Sequence, residues 1–565
     1  MIKLSPVLKN NKWLYFAVLL VCFAISVGMR SQQFEKWKET PSNFFVQDRP
    51  IMTTLDAPYW LRWAREYNEG VLWQKDYLRE YPQATKTFQD MFVPAKFRAH
   101  QAASSVSPAS SFSFSETLAT KYSDVPLLSF LIAIFAQYFN YNYYLTGTLL
   151  VPILASLFIL PLGVYFFRVG VPLPGLLGGL VGTFSGGYYM RSSIGRIDTD
   201  MLNLFFPVLA ALLILLVSQA KTERSALLYS IATGLSLFLF HWWYSKAGFA
   251  FAYFAILVFM LFIQKFRLRI ILLCSLLFVL CVNPAQFMAG TESIKKFLSI
   301  YLVTVENDSP ILTDYGVTSA TFPNTFTTIS EVNSLKTDKF IESLDRVFQR
   351  IINKTLFAWA GFTAFLILAF WRWKDLLPLA PMLALGLLSF QSSNRFIMYL
   401  GPFIGVGLGW LLNIGLDWMF HFLAKNTKEH KRTHKETKTI KTQNSKLKTS
   451  DTIENKDKTW LNWIRQGILY FGLGLFFWMI SSQTAISFVP GPSIHPRVYA
   501  TFMEVKKMVP ENSALLTWWD YGYAITDATG LATFHDGGGQ NTPVTYFTAR
   551  GLISAEQDEL YDITQ

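Results

Sequence analysis

Trp518-Trp519-Asp520-Tyr521-Gly522 places three large aromatic side chains, one carboxylate and one glycine in five consecutive positions, away from the apolar stretches of the chain. Aromatic rings hold their shape at low entropic cost, so such a run builds a stiff pocket wall, and Asp520 gives it a group that accepts a hydrogen bond from a hydroxyl. The plain alternative is a packed aromatic strand end. Four further acidic positions carry possible chemistry. Asp198 and Asp200 stand on alternate positions directly before an apolar run, in Arg191-Ser192-Ser193-Ile194-Gly195-Arg196-Ile197-Asp198-Thr199-Asp200. Helix capping accounts for one of them, but a second carboxylate beside the first adds repulsion that a cation removes. Oxygen-only pairs of this kind suit hard divalent ions, Mn²⁺ or Mg²⁺. Asp56 lies in Leu55-Asp56-Ala57-Pro58-Tyr59-Trp60, and Glu331 in Thr327-Thr328-Ile329-Ser330-Glu331. Together with the aspartate pair they can form one cation site. Arg395, in Ser392-Ser393-Asn394-Arg395-Phe396, can pair a phosphate, although an arginine snorkelling at a membrane surface is the simpler reading of that residue alone.

These residues need a scaffold, and composition defines it. The chain has 565 residues, 52% hydrophobic, with 16% aromatic residues and 16% charged. Apolar runs near the thickness of a bilayer's hydrocarbon core recur at 13–29, 144–167, 247–263, 355–371 and 396–412. The fold expected is a polytopic α-helical membrane protein. The first run follows Lys3, Lys9 and Lys12 and lacks a small-residue cleavage site, so it reads as an uncleaved helix with its N-terminus in the cytoplasm. Basic turns at Arg168, Lys221/Arg224, Lys265–Arg269 and Arg372/Lys374 then give roughly eleven spans, the last at 464–482. The transmembrane catalytic domain is 1–482, with external loops at 30–143 and 283–353 and a cytoplasmic lysine-rich loop at 424–459. Residues 483–565 start an external segment of mixed α/β type. All the chemistry named above falls on the outer face.

The net charge of +12 is concentrated in that lysine-rich loop, which reads as disordered and drawn to anionic headgroups of the bilayer. Nucleic acid is not expected as a partner. His430 and His434 in the loop read as solvated residues, and Cys22, Cys274 and Cys281 as small apolar residues within spans. A transporter would place ionisable groups near the bilayer midplane, whereas the spans here are nearly free of acids.

The chain resembles the catalytic subunit of the oligosaccharyltransferases: the bacterial and archaeal single-subunit enzymes and the eukaryotic catalytic subunit. The family's Trp-Trp-Asp-Tyr-Gly motif stands at 518–522, its first-loop aspartate matches Asp56, its Asp-X-Asp motif matches Asp198 and Asp200 with Arg191 ahead, its Thr-Ile-X-Glu motif matches 328–331, and its lipid-phosphate arginine matches Arg395. The resemblance spans nearly the whole chain. It implies a GT-C-type glycosyltransferase with about 11–13 transmembrane helices, single-subunit, in a bacterial inner (plasma) membrane with the active site on the periplasmic or extracellular side. The implied substrates are a polyprenyl-pyrophosphate-linked oligosaccharide and an acceptor protein or peptide carrying Asn-X-Ser/Thr, joined with inversion. By the same resemblance Asp56, Asp198, Asp200 and Glu331 hold Mn²⁺ or Mg²⁺, Arg191 supports the cluster, Asp56 and Glu331 activate the amide, and Arg395 meets the pyrophosphate. Trp518, Trp519, Asp520, Tyr521 and Gly522 would bind the sequon hydroxyl.

The sequence departs from the family in two places. The family's C-terminal domain is larger and carries a second acceptor motif, so 483–565 reads as an incomplete, C-terminally truncated domain. Ser343 falls where some bacterial members have an arginine that reads an acidic residue before the sequon, so no extended sequon is expected. The alternatives left open are a related polyprenyl-phosphate-sugar-dependent membrane glycosyltransferase and an inactive protein that binds lipid-linked glycan.

Overall fold

The computed structural model describes residues 12–70, 78–79, 125–301, 335–337, 339–438, 467–468, 472, 487–538 and 543–564. Helices dominate them. The first half contains α1 (Lys12–Glu39), α2 (Ala57–Glu69), α3 (Leu127–Ala136), α4 (Tyr143–Ser156), α5 (Ile159–Val169), α6 (Pro172–Phe184), α7 (Phe205–Ser218) and α8 (Glu223–Trp243). There follow α9 (Gly248–Ile263), α10 (Leu268–Val282), α11 (Pro284–Tyr301), α12 (Phe340–Gln349), α13 (Thr355–Trp371), α14 (Ala380–Leu388) and α15 (Ile397–Lys438). The last segment holds α16 (Pro496–Met508), α17 (Trp519–Thr529), α18 (Pro543–Ile553) and α19 (Gln557–Thr564). Two small sheets complete it: an antiparallel hairpin of β1 (Phe45–Val46) and β2 (Arg49–Pro50), and a parallel pair of β3 (Ala514–Leu515) and β4 (Ala532–Thr533) connected through α17.

Among the described residues five single helices are long and apolar enough to cross a bilayer, or seven if two bent pairs each count as one. The bent pairs are 268–282 with 284–295, at 91°, and 355–371 with 373–388, at 110°. Several expected spans form shorter helices. α6 stops at Phe184, because Ser185 turns to extended backbone (ψ 132°) and its hydroxyl donates back to the Gly182 carbonyl. That early stop releases the chain into the loop that carries Arg191, Asp198 and Asp200. The expected span at 464–482 lies almost wholly outside the described residues.

The lysine-rich stretch also differs from expectation at its start. α15 runs on to Lys438, so the first part of 424–459 is helical. Lysine, glutamate and alanine are good helix formers, and extending an existing helix avoids the cost of nucleation. The rest of that loop lies outside the described residues.

The bundle is closed by small residues as much as by large ones. Cβ atoms added at Gly405 and Gly409 of α15 would lie 2.5 Å from the Leu177 carbonyl oxygen and 2.7 Å from Pro174 Cα of α6, so these two helices meet backbone to backbone. Without a hydrophobic driving force between helices in lipid, such close van der Waals contact holds them together. Around this axis Phe158, Phe166, Tyr165, Tyr188 and Phe184 are fully buried in one core. At one end of the bundle Tyr15 donates to the Gly163 carbonyl (2.8 Å) and Arg372 to the Val169 carbonyl (2.7 Å), tying the start of α1 and the turn after α13 to α5. The site occupies the other end.

Candidate active site

The loop between α6 and α7 builds the acidic part of the site. Asp198, in extended backbone (φ −153°, ψ 165°), caps the short helical turn 199–202, and its Oδ1 accepts from the Thr199 amide at 2.6 Å. Asp200, two residues on, accepts from Arg191 Nε at 2.7 Å through Oδ2 and from Asn203 Nδ2 at 3.2 Å through Oδ1. Both aspartates are buried, at 6% and 1% exposure. Burial, and then the neighbouring Asp200 charge, push the Asp198 carboxyl up, while Arg196, Arg395 and Arg191 pull it back. The Arg395 charge therefore acts within this cluster from the mouth of α15.

Capping and pairing divide the two carboxylates. Asp200 commits both oxygens to protein partners, whereas the hydrogen bonds of Asp198 to residue 199, from its amide and its hydroxyl, both fall on Oδ1. A carboxylate whose charged form is disfavoured by burial and by a like charge is satisfied by a cation, and the hard oxygen donors suit Mg²⁺ or Mn²⁺. The donor set thus fits such an ion in kind. Among the described residues no three His, Cys, Asp or Glu side chains come together as a metal-binding group. Glu331 lies outside the described residues.

Asp56 approaches from the first loop, at the start of α2. The segment before it is stitched to the acidic loop: the Thr53 amide donates to the Gly195 carbonyl at 3.1 Å, and its hydroxyl to the Ile194 carbonyl at 3.2 Å. Gly195 permits this approach. It has φ +73°, and a Cβ there would sit 2.4 Å from the Trp37 ring. Gly147 of α4 admits the Ile197 and Leu61 side chains in the same way, seating α2 and the acidic loop on one helix.

The aromatic pentapeptide begins a helix. Trp518 is the extended residue before α17, Asp520 stands in its first turn, and Gly522 is one turn in. A Cβ at Gly522 would lie 2.3 Å from the His535 carbonyl oxygen and 2.7 Å from Asp536 Cα, so only glycine lets the 535–536 backbone cross the helix there. The Trp518 and Trp519 rings are 6.5 Å apart, tilted by 49°, and the His535 ring stands edge-on to Trp518 at 6.1 Å. Burial pushes the Asp520 carboxyl up. Trp519 Nε1 and His535 Nε2 are buried and have no hydrogen-bond partner among the described residues. Orphan buried polar atoms cost about 1–3 kcal/mol each, and here one belongs to the motif and the other to the ring that packs on it.

α17 lies against α2. Tyr523 packs on Tyr59 with ring centroids 5.0 Å apart, and Arg79 lies over both rings while its Nε pairs with Asp536 at 2.5 Å. Burial and then the Asp536 charge push the Tyr523 phenol up, Asp56 adding to the effect and Arg79 opposing it. Asp56 thus follows the segment bonded to the acidic loop and begins the helix on which α17 packs. Sequence reasoning named neither Arg79 nor His535, nor the buried cluster of Arg49, Arg65, Tyr144, Tyr499 and Asp527 that docks the last segment. Isolated polar residues give no local signal of partners more than three hundred and fifty positions away. Ser343 is buried and its hydroxyl accepts from the Thr337 amide at 2.8 Å, so that position is occupied by a structural bond.

The imidazole of His535 carries a pH signature. It is 3% exposed, and burial, partly offset by the Asp536 charge, pushes it down to about 4 from 6.5. The unfolded chain takes up this proton first, so the stabilisation is fully present above about pH 6.5 and is lost as pH falls through about 4. Thermal melting from neutral pH downward should show this loss, and His535→Gln should flatten that part of the profile. An unchanged profile in the variant would assign the acid sensitivity to other groups.

Two family models match the chain: "Oligosaccharyl transferase STT3, N-terminal" over residues 123–426, and "STT3/PglB/AglB core domain" over residues 511–563. Two Campylobacter jejuni proteins named undecaprenyl-diphosphooligosaccharide–protein glycotransferase are similar, at 23% identity over 441 residues and 22% over 445. The aligned part covers 72% of this chain, and the chain spans only about half, 55%, of the length of these relatives. The fold is shared with the oligosaccharyltransferase AglB of Archaeoglobus fulgidus in complex with an inhibitory peptide and a dolichol-phosphate, at TM-score 0.54 and 13% identity, over 98% of this chain and 68% of that one. A second structure of the Archaeoglobus fulgidus enzyme, tethered to an acceptor peptide with an NVT sequon, gives TM-score 0.54 and 14% identity over the same shares.

Proposed function

We propose that this chain, which belongs to the oligosaccharyl transferase STT3 family, transfers a glycan from a polyprenyl-pyrophosphate carrier to the asparagine side chain of an Asn-X-Ser/Thr acceptor. One observation carries the reading. The loop holding Asp198 and Asp200 is hydrogen-bonded to the segment that leads into Asp56, and the helix opened by Trp518–Gly522 packs on the helix that Asp56 begins. A site for the sugar phosphate and a site for the acceptor thereby share one short element.

The chemistry asks for this arrangement. An amide nitrogen is a poor nucleophile because its lone pair is delocalised into the carbonyl. Carboxylates at Asp56 and Glu331 that accept its N–H bonds orient the amide and weaken that conjugation. The nitrogen forms a bond to the anomeric carbon as the bond from that carbon to the pyrophosphate oxygen breaks, with inversion, and a carboxylate takes the released proton. Arg395 meets the charge that develops on the leaving pyrophosphate, and Arg191 keeps Asp200 ionised beside Asp198. A divalent ion, Mn²⁺ or Mg²⁺, would be held by Asp198 with Asp56 and Glu331, and supplies Lewis-acid neutralisation of phosphate charge. The bilayer would present the lipid carrier at the bundle end.

Acceptor choice falls to the aromatic motif. Trp518, Trp519 and Asp520 would surround the hydroxyl two positions after the asparagine, with Tyr521 and Gly522 setting the turn. A site whose own polar atoms are unpaired until a hydroxyl arrives rejects acceptors that lack one, typically by about 10⁴-fold or more when fully buried. The test is the purified chain in lipid, given a polyprenyl-pyrophosphate glycan and peptides carrying Asn-X-Thr, Asn-X-Ala or Gln-X-Thr. Mass spectrometry should find the glycan on the asparagine of the first peptide alone. Transfer to Asn-X-Ala at an equal rate would remove the aromatic motif from acceptor reading, and no transfer to any peptide would reduce the chain to a binder of lipid-linked glycan.

A further inference from the structure

A fully buried cation sits near the end of α1 with no carboxylate beside it among the described residues. Arg30 is 0% exposed. Its Nε donates to the Ser192 carbonyl at 2.7 Å, and its Nη2 to Ser192 Oγ at 2.8 Å and the Thr183 carbonyl at 3.0 Å. Nη1 donates to Thr183 Oγ1 and Ser26 Oγ, both at 2.9 Å. The guanidinium lies over the Tyr189 ring at 4.8 Å and within 5.8 Å of Tyr188. Burying a charge on neutral partners alone is expensive, so this group must do something that an apolar residue of its size would not.

What it does is visible in its partners. Thr183 lies in the last turn of α6 and Ser192 beyond the extended break at Ser185, so one rigid fork spans the two ends of the loop. Ser192 follows Arg191, which pairs with Asp200 at 2.7 Å. Tyr188, beneath the guanidinium, donates to the carbonyl of Met201, the neighbour of Asp200, at 2.8 Å. One turn along the same face of α1, Gln33 accepts from the Ile194 amide at 2.9 Å and donates toward the Phe488 carbonyl at 3.4 Å. Trp37, a turn further, donates to the Pro490 carbonyl at 3.0 Å. Ser26, Arg30, Gln33 and Trp37 follow helical spacing, so a polar stripe on an otherwise apolar span faces the loop and the start of the last segment.

We propose that Arg30 is a positioning residue: it fixes the loop 183–195 so that Arg191, Asp198 and Asp200 keep their register against Asp56 and the aromatic motif. The proposal rests on the transferase reading for its catalytic consequence and on geometry alone for its structural one. Lysine cannot replace the fork, because a single ammonium has three donors at one point and cannot bridge both ends of the loop.

The experiment compares wild type, Arg30→Lys and Thr183→Val in lipid by amide hydrogen exchange and by transfer kinetics. Exchange should quicken across residues 184–204 in Arg30→Lys while the core of α15 stays protected. Its kcat should fall about 10- to 100-fold, the effect typical of losing a group that orients a site's ligands, with the acceptor KM unchanged. Thr183→Val, which keeps the charge and removes one hydroxyl, should give a smaller change in the same direction. Wild-type rate and exchange in Arg30→Lys would overturn the proposal, as would exchange that rises throughout the bundle. If Arg30→Lys fails to insert, Thr183→Val decides, and normal exchange and kcat there overturn it. Wild-type protein without transfer, but with loosening confined to 184–204 in Arg30→Lys, would sink the transferase reading and leave the positioning role standing.

Discussion

Asp198→Asn should insert and melt as the parent chain does, yet transfer glycan on the order of 10²–10³-fold more slowly, the usual cost of removing one preorganised electrostatic group from a reacting site. The contrast follows from the two things Asp198 does. As a cap it accepts from the Thr199 amide at 2.6 Å through Oδ1, and asparagine caps a helix about as well as aspartate, so that bond survives the substitution. As a charge it stands buried beside Asp200 with three guanidinium groups acting on it, and asparagine has no charge to offer a cation. The neutral amide introduced by Asp198→Asn would also remove repulsion between the two carboxylates, so stability should hold or rise slightly. Initial transfer rates, with circular dichroism melting as the control, decide the matter. A variant that melts normally and transfers at the parent rate would leave Asp198 as a helix cap. Asp200→Asn is the informative partner. It unbalances Arg191, whose Nε bonds to Oδ2 at 2.7 Å inside the protein, and should therefore lower stability as well as rate.

The parts of this molecule that were legible in the sequence are those that a few adjacent residues specify. Apolar run length announced the helical stretches at Lys12–Glu39, Tyr143–Val169 and Asn394–Trp418, because bilayer thickness fixes how long such a run must be. The five residues 518–522 stood out as a motif, although they open a helix rather than close a strand, since a helix start and a strand end look alike over two tryptophans. Helix ends set by tertiary contacts were less visible. Nothing apolar stops α6 at Phe184; a serine hydroxyl and a change of backbone angle do. Arg30 stands directly after the apolar run 13–29, where an arginine reads as a span end. Its meaning depends on Thr183 and Ser192, more than one hundred and fifty positions away. The site was thus readable as a set of residue types, and the devices that hold those residues in place were not.

The second large effect should come from Asp527, a residue with no motif around it. Its side chain is fully buried in α17 and pairs with Arg65 of α2 at 2.8 Å. It also accepts a hydrogen bond from the Tyr144 hydroxyl. Tyr144 in turn lies 3.1 Å from the Tyr499 hydroxyl, and Arg49 donates to Tyr499 at 2.7 Å while stacking on the Tyr144 ring at 4.5 Å. One carboxylate therefore joins the first loop, the mouth of α4, α16 and α17. Removing it leaves Arg65 and the two phenols in a buried setting without their anion, and breaking such a pair costs about 3–5 kcal/mol. The apolar contacts beside it are a small cluster of Ile51, Ile494, Tyr499, Ala524 and Ala528, with Tyr523 on Tyr59 and the Arg79–Asp536 pair at its edge. Asp527→Ala should consequently release the last segment from the bundle while the helices of the membrane domain stay folded. Limited proteolysis should then cut within 487–538 at protease levels that leave wild type intact. Transfer should fall with it, because Trp518 and Asp56 would no longer share a fixed frame. Asp527→Asn keeps the shape and loses the charge, so it should show the same behaviour in milder form. If Asp527→Ala resists protease as wild type does, the apolar cluster alone seats the segment, and the buried network serves only to satisfy its own members.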